Sequence, residues 1–447
     1  MNRSLTIPLL LLGGLALVLR VAAIVVLRAW ENPEAIEHLP LAVGLLEGKG
    51  FVFRDWYYYG PSSVQSPPYP LLLAAIFWLF GTASTASFVV ALMLNAVVGA
   101  ATAMCAVPMA LAMGARRSVA ILGGLLIAIW PTQVYAVTHA QAIPLITLAV
   151  VVILWQFVIA VRTGRWSAWI VLSVVGCVAM LTEPVLLPPM ALTGLLIFVW
   201  PCALSFRGRL ARAGVLLVCA LLILGPWSVR NRMVHGRWVP VKSTFWVNVW
   251  KANNDHASGT DRPVMSPELR RALDSVPLDE RDDLARGDLD SVRQYDLLTP
   301  QQKRELRGQP EAVREDIFRR YATTWIREHP QRYFELCGIR LFKTLWIEWD
   351  NPKAYNRVYI AARTTLAVLS LAGLFIAVAM GWRLGYAMVV LGLSLLTYTL
   401  TITAARFALP FEPLQLTLMA LVLVSLASLL TRKPSRDVTR PGPARGM

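Results

Sequence analysis

Carboxylates are scarce over most of this chain. Asp and Glu number 27 in 447 residues, and 19 of them fall between Arg230 and Arg357. Only Glu31, Glu34, Glu37, Glu47, Asp55, Glu183, Glu412 and Asp437 lie outside that stretch. Charge of either sign is low, at 16% of residues, against about 25% in soluble domains. That scarcity, with 56% hydrophobic residues, excludes a soluble enzyme and a disordered chain. The five cysteines form no CxxC pair or His/Cys cluster. They give no sign of zinc, and they exclude a disulfide-stapled secreted domain.

What fills the chain instead is apolar sequence in long runs, at a mean hydropathy of +0.54. A bilayer needs about 20 residues per helix. Leu5–Arg28 is the first such run; it is too long for a signal-peptide core and reads as a retained helix. Others cover 84–113, 117–136, 139–161, 166–182, 185–203, 213–229, 358–380, 385–404 and 407–430. Ten spans result.

The net charge of +16 is placed unevenly. The stretch from Arg230 to Arg357 is nearly balanced, with 23 basic and 19 acidic residues. With the N-terminus in the cytoplasm, the cytoplasmic connections hold Arg116 and Arg117; Arg162 and Arg165; Arg207, Arg209 and Arg212; Arg383; and the tail with Arg432, Lys433, Arg436, Arg440 and Arg445. The opposite turns near 137 and 183 hold no Lys or Arg. This is the positive-inside pattern, so the high isoelectric point reflects topology and not nucleic-acid binding.

The expected fold class is an all-α polytopic membrane protein with both termini cytoplasmic and a large, mainly helical extracytoplasmic loop domain. Residues 1–229 carry helices one to seven, with a first extracytoplasmic loop at 29–83. Residues 230–357 form the loop domain, 358–431 helices eight to ten, and 432–447 a basic cytoplasmic tail. In the first loop, Pro67-Pro68-Tyr69-Pro70 opens a helix over Leu71–Phe80 that is too short to span and reads as interfacial or re-entrant. In the large loop, Val239, Val241, Val247 and Val249 give a partial strand-like alternation. Thr299-Pro300-Gln301-Gln302 is a capping-box start. Helices run from about Pro310 to Glu328 and from Pro330 to Trp349. The latter mixes Phe334, Leu341, Phe342, Leu345 and Trp346 with Arg332, Arg340 and Lys343, and is expected on the membrane surface.

Candidate chemistry concentrates outside. Five of the eight scattered carboxylates lie in the first loop, beside Lys49, Arg54, Tyr57, Tyr58, Tyr59 and Gln65. On a helix Glu34 and Glu37 would share a face, as a general base, a metal site, or simply a solvated charged loop. Arg20, inside the first run, faces a cavity or partner or snorkels to an end. Glu183 lines a cavity or sits in an exposed turn; His139, with Gln141 at the start of the fourth span, is scaffold or catalyst. Arg230-Asn231 and Arg406 reach the outer interface at lipid-phosphate depth, suited to bidentate phosphate binding or to headgroup anchoring. Asn253-Asn254-Asp255 is a sugar contact or an ordinary turn.

The order of four blocks resembles the GT-C superfamily of membrane glycosyltransferases, especially bacterial relatives of protein mannosyltransferases and of lipid A aminoarabinose transferases. The blocks are Glu34–Gly81, with Leu45-Leu46-Glu47-Gly48-Lys49-Gly50-Phe51 and Pro67-Pro68-Tyr69-Pro70; Gly225-Pro226-Trp227-Ser228-Val229-Arg230-Asn231 through Asn253-Asn254; Trp325-Ile326-Arg327-Glu328-His329-Pro330 with Arg332-Tyr333-Phe334; and Arg406-Phe407-Ala408-Leu409-Pro410. The resemblance implies a multi-pass transferase of the bacterial inner membrane that moves a sugar from a polyprenyl-phosphate donor to an acceptor hydroxyl on the extracytoplasmic face.

In such families an acidic motif, commonly Asp-Glu, precedes the Leu-Leu-x-Gly-x-Gly-Phe stretch. Here Glu34 takes the Asp position and Ala35 the Glu position, which is a departure; Gln141 falls near where many relatives are acidic. A divalent metal is compatible with the pattern without being required. By this resemblance Glu34, or Glu37, is the base, and inversion follows. Arg230, Arg406 and Lys49 meet the donor phosphate, and Asp55, Tyr58, Asn231 and Asn254 are candidate substrate contacts. Tyr57 and Trp56 could stack on sugar faces. The acceptor is a glycan, a lipid or a protein. Two competing readings are a transporter or flippase for lipid-linked glycans and a non-catalytic membrane scaffold.

Overall fold

The computed structural model describes residues 3–54, 59–202, 204–264 and 298–431. Among them are 18 α-helices and almost no sheet. α1 (Arg3–Val26) leads into the first loop, which holds α2 (His38–Leu46), the antiparallel pair β1 (Val52–Arg54) and β2 (Tyr59–Pro61), and α3 (Pro68–Phe80). Then come α4 (Thr85–Met113), α5 (Arg117–Ile129), α6 (Pro131–Tyr135), α7 (Ile143–Thr163), α8 (Trp166–Thr182), α9 (Leu187–Val199), α10 (Phe206–Ile223) and α11 (Gly225–His235). The large loop adds α12 (Phe245–Lys251), α13 (Pro300–Leu306), α14 (Glu311–Glu328) and α15 (Pro330–Leu345). α16 (Arg357–Ala379), α17 (Gly385–Leu400) and α18 (Glu412–Thr431) follow. The basic tail at 432–447 lies outside the described residues.

Five helical segments are long and apolar enough to cross a membrane: Leu5–Val26, Thr85–Met113, Ile143–Thr163, Arg357–Ala379 and Ala405–Thr431. The number rises to 7 if each of two bent pairs is one span: α5 with Pro131–Thr138, bent by 50°, and α10 with α11, bent by 42°. Both bends have a local cause. Proline removes an N–H from the helical ladder at Pro131 and at Pro226. At the first bend the freed carbonyls find a cation. Arg20, fully buried, donates to Ala128 O at 3.0 Å and Ile127 O at 3.1 Å, closing the broken end of α5. Arg20 therefore faces a partner. Gly99 makes room for it, since a Cβ there would strike the guanidinium.

Small residues bring the central helices together. Ala100, Ala103, Ala106 and Ala110 of α4 are buried in the main core with Leu12, Val150 and Phe157. α16 crosses α18 so closely at Gly373 that any Cβ would meet the Leu418 carbonyl. Nearby, Arg363 and Glu412 form a buried ion pair at 3.0 Å. Glu412 also accepts from Thr132 Oγ1 at 2.5 Å and Gln133 Nε2 at 2.9 Å. Arg363 spends its other donors on Trp346 O and Thr344 O. A charge pair in such surroundings persists only when its hydrogen bonds are satisfied this way.

The large loop has its own small core around Trp250, Leu306, Phe318 and Ala322. The capping box at Thr299 and Gln302 is present as the sequence indicates. The strand reading of 238–250 is corrected: Phe245–Lys251 is helical. The four valines are all buried, but Val241 packs on Trp227 and Leu181, while Val247 and Val249 enter the loop core. Two unrelated contacts thus mimic one period.

A buried carboxylate fastens the two loops to each other. Glu311 of α14 accepts from Ser62 Oγ at 2.5 Å and Ser63 N at 2.8 Å in the first loop, and from Ser243 Oγ. This clasp holds the first loop and the large loop on one end of the helix bundle.

Candidate active site

The segment 33–37 joins α1 to α2 and is not helical. Glu34 has φ 43° and Ile36 has φ 39°, both in the left-handed region. Strain of this kind costs about 1–3 kcal/mol per residue and persists where the surroundings over-determine it. The shared helical face expected for Glu34 and Glu37 is therefore corrected: the left-handed turns after Pro33 prevent it, and α2 starts only at His38.

The surroundings that hold this strand of chain come from 138–141, after the bent helix pair. Ala140 N donates to Pro33 O at 2.7 Å, and Gln141 Nε2 to Glu34 O at 3.0 Å. His139 Nε2 meets Glu34 Oε2 at 3.1 Å. The imidazole is itself set by Thr138 Oγ1 at 3.2 Å and by the edge of Tyr135. Asn95 of α4 donates to His139 O at 2.9 Å. Gln141 and His139 thus aim Glu34, whose side chain stays 45% exposed.

Glu37 sits among cations. Burial pushes its carboxyl up, but Arg406, its own backbone N–H, His38 and Lys251 outweigh that and hold it below the usual carboxylate range. His38 is pushed down to about 4, first by burial, then by Lys242 and Arg406 against the opposing pull of Glu37. It is neutral at neutral pH. Its ring lies 4.8 Å from that of Tyr69. Lys242 Nζ lies 3.7 Å from Glu183 Oε2, which brings Glu183 to the same neighbourhood.

Arg406 begins the short 3-10 turn Ala405–Phe411. The buried carboxylate of Glu348 accepts from Ala405 N and fixes that turn. Burial first, and Asp261 second, raise Glu348 to about 7. The Arg406 guanidinium is exposed, 5.8 Å from the Phe407 ring centroid, and among the described residues it has no hydrogen bond or ion pair.

Arg230 is placed differently. Nη1 donates to Ser62 O at 2.8 Å, Ser63 Oγ at 3.0 Å and Asn231 Oδ1 at 3.1 Å, and Nη2 to Phe51 O at 3.1 Å. Asn231 is fully buried and ties Ser63 to Val239 O and Val241 O. Asn254 donates to Trp250 O and Lys251 O and accepts from His256 N, as a helix-end turn does. Lys49 pairs with Glu47 at 2.7 Å on the exposed surface. Asp55 and Tyr58, with Trp56 and Tyr57, lie outside the described residues.

The fold thus brings Arg406, His38 and Lys251 to Glu37, sets Lys242 beside His38, and holds Glu34, three residues earlier in the chain, on His139; the roles of His38, Lys242 and Lys251 the sequence reading did not identify. Lys242 and Lys251 sit in a nearly charge-balanced stretch, where no pattern marks one lysine over another. Among the described residues no three His, Cys, Asp or Glu side chains converge to hold a metal ion. A carboxylate oriented by an imidazole, with cations close by, has the parts for base catalysis and for stabilising a leaving anion.

No protein-family model matches the sequence, and no curated protein matches it. Solved structures do match. The oligosaccharyltransferase of Archaeoglobus fulgidus in complex with Zn and sulfate gives a TM-score of 0.52 at 14% identity, over 95% of this chain and 49% of that one. The archaeal oligosaccharyltransferase AglB from Archaeoglobus fulgidus, in complex with an inhibitory peptide and a dolichol-phosphate, gives 0.52 at 12% identity, over 94% of this chain and 50% of that one. ArnT from Cupriavidus metallidurans bound to undecaprenyl phosphate gives 0.41 at 13% identity, over 94% and 78%. This chain spans about half the length of the oligosaccharyltransferase it matches. In fold, the chain is similar to the oligosaccharyltransferase of Archaeoglobus fulgidus, at 12-14% identity.

Proposed function

We propose that this chain is an integral-membrane glycosyltransferase that moves a sugar from a polyprenyl-phosphate donor to an acceptor hydroxyl. The observation that carries the reading is Glu34 held by His139, three residues before Glu37, which Arg406 and Lys251 surround, with Lys242 beside His38. That a solved structure of similar fold holds a dolichol-phosphate supports the donor class.

In the proposed step Glu34 takes the proton of the acceptor hydroxyl as its oxygen bonds to the anomeric carbon. The bond from that carbon to the phosphate oxygen breaks, and the electron pair leaves with the polyprenyl phosphate. Direct displacement inverts the anomeric centre. Arg406, Lys242 and Lys251 stabilise the growing negative charge. Arg230, given to the donor phosphate on sequence grounds, is assigned here to holding the first loop, because its bonds run to that loop's backbone. Glu37, whose carboxyl is held below the usual range by Arg406 and its neighbours, is a poor proton acceptor.

In this reading ten helices span a bacterial inner membrane with both termini cytoplasmic. The seven apolar segments and bent pairs, with the shorter helices Trp166–Thr182, Pro184–Val199 and Gly385–Leu400, supply that number. The site then faces the extracytoplasmic side.

The test is donor turnover. The full chain in liposomes is offered radiolabelled polyprenyl-phosphate sugars with a membrane extract as acceptor source, alongside Glu34→Gln and Glu37→Gln. Loss of sugar from the polyprenyl phosphate by wild type, abolished in Glu34→Gln, is expected. Binding of polyprenyl phosphate without turnover of any donor would favour a flippase or a scaffold.

A further inference from the structure

The last helix of the large loop is amphipathic in the opposite sense to a helix bathed in water. Two of its cations point inward, while Arg332 stays exposed and pairs with Glu335. Arg340, fully buried, donates to Thr399 O at 2.6 Å, Ala252 O at 2.9 Å and Asn253 Oδ1 at 3.1 Å. Lys343 donates to Ser258 O at 2.9 Å and pairs with Asp350. Its apolar residues point outward: Phe334, Leu341, Phe342 and Leu345 of α15 are exposed, and Trp349 extends the same surface. Ile339, Phe342 and Trp349, with Arg332 and Glu335, line an open groove of about 560 Å³ along it.

Its depth is set by contacts at both ends. Trp346, just past α15, donates through Nε1 to Thr364 Oγ1 at 2.9 Å. Thr364 is seven residues into α16, so at 1.5 Å per residue this contact lies about 10 Å below the helix start. Arg363 reaches Thr344 O and Trp346 O at the same level. At the other end Tyr333 Oη donates to Leu400 O, the last residue of α17, at 3.1 Å. Exposed apolar residues flank the helix on both neighbours, Val358 on α16 and Leu396 and Leu400 on α17. Exposed apolar side chains of the bundle thus continue onto α15.

We propose that α15 lies within the membrane leaflet on the first-loop side, its outward face against phospholipid acyl chains and one chain seated in the Ile339–Phe342–Trp349 groove. Contact with acyl chains takes these apolar side chains out of water, which is favourable. Trp346 and Trp349, edge to face, then sit where indole rings favour the membrane interface. Seating α15 also has a consequence inside: Arg340 carries its position to Ala252 and Asn253, the neighbours of Lys251.

Photo-cross-linking decides the occupant. Phe342→p-benzoylphenylalanine and, separately, Trp349→p-benzoylphenylalanine are made in the full chain and irradiated in phosphatidylethanolamine–phosphatidylglycerol liposomes. Phe375, exposed on α16, and Arg319, exposed on α14, carry the same probe as lipid and water references. Mass spectrometry should find phospholipid adducts at 342 and 349 in yields matching 375 and several-fold above 319. Yields as low as at 319 would put the face in water and overturn the proposal. Cross-linked dimers in place of lipid adducts would overturn it too, by showing that a second copy covers the face.

Discussion

Arg230 and Arg406 were indistinguishable as candidates: each is an arginine at an outer helix end beside the first loop. The fold separates them. Arg230 is bonded to Ser62 O, Ser63 Oγ, Phe51 O and Asn231 Oδ1, all parts of the frame. Arg406 has no such bond among the described residues, and its field reaches Glu37 and His38. A guanidinium with its donors committed to carbonyls fixes architecture. One held only by its backbone keeps donors for a ligand. The same contrast sets Glu412, committed inside the bundle, against Glu34, aimed at the surface.

The comparison can be broken or sharpened by substitution. The largest effect is expected at Glu34: Glu34→Gln should lower donor turnover by about 10²–10⁴-fold, the usual contribution of a general base. Its melting temperature should stay near that of wild type. Glu412→Gln should do the reverse, removing about 3–5 kcal/mol by leaving Arg363 buried without its partner. Pairing it with Arg363→Met should recover part of that loss, readable in a thermal melt. Arg406→Gln should reduce kcat by about 10²–10³-fold at unchanged stability, as loss of one charge-stabilising donor does.

The smallest expected effect is on pH dependence. Burial raises Glu315 of α14, and also Glu348, to about 7. Both keep protons in the fold that the unfolded chain releases above about pH 4.3. Stability should therefore fall as pH rises from about 4.5 through 7, and level off beyond. Melting curves across that window should show the slope, and Glu315→Gln should flatten it in part.

Local signals were legible in the sequence. Pro67-Pro68 opens α3, Thr299 and Gln302 form their box, and Pro330 starts α15, because each works over one helical turn. The long apolar runs marked the helical stretches, because burial in a bilayer demands length and composition alone. What could not be read was set across the chain. Arg20 closes α5 through residues more than a hundred positions away, and Arg230 spends its donors on backbone carbonyls, which no side-chain pattern reveals. The left-handed turns at Glu34 and Ile36 are held by 139–141, so their own sequence gave no notice of them. Lys242 comes beside His38 on a segment tied to the first loop by Ser243, which binds Glu311 and donates its N–H to Ser63 O at 3.0 Å.

Arg406 is proposed to meet the donor phosphate, while Arg230 holds the frame through its bonds to Ser62 O and Phe51 O. The most direct measurement is donor turnover per folded molecule for Arg406→Gln and Arg230→Gln, with the folded fraction taken from thermal melts. The expected result is Arg406→Gln folded like wild type but slowed by about 10²–10³-fold. Arg230→Gln is expected to lose about 2–3 kcal/mol of stability while its folded fraction keeps most of its rate. A fully active Arg406→Gln, or a stable but inactive Arg230→Gln, would contradict the account.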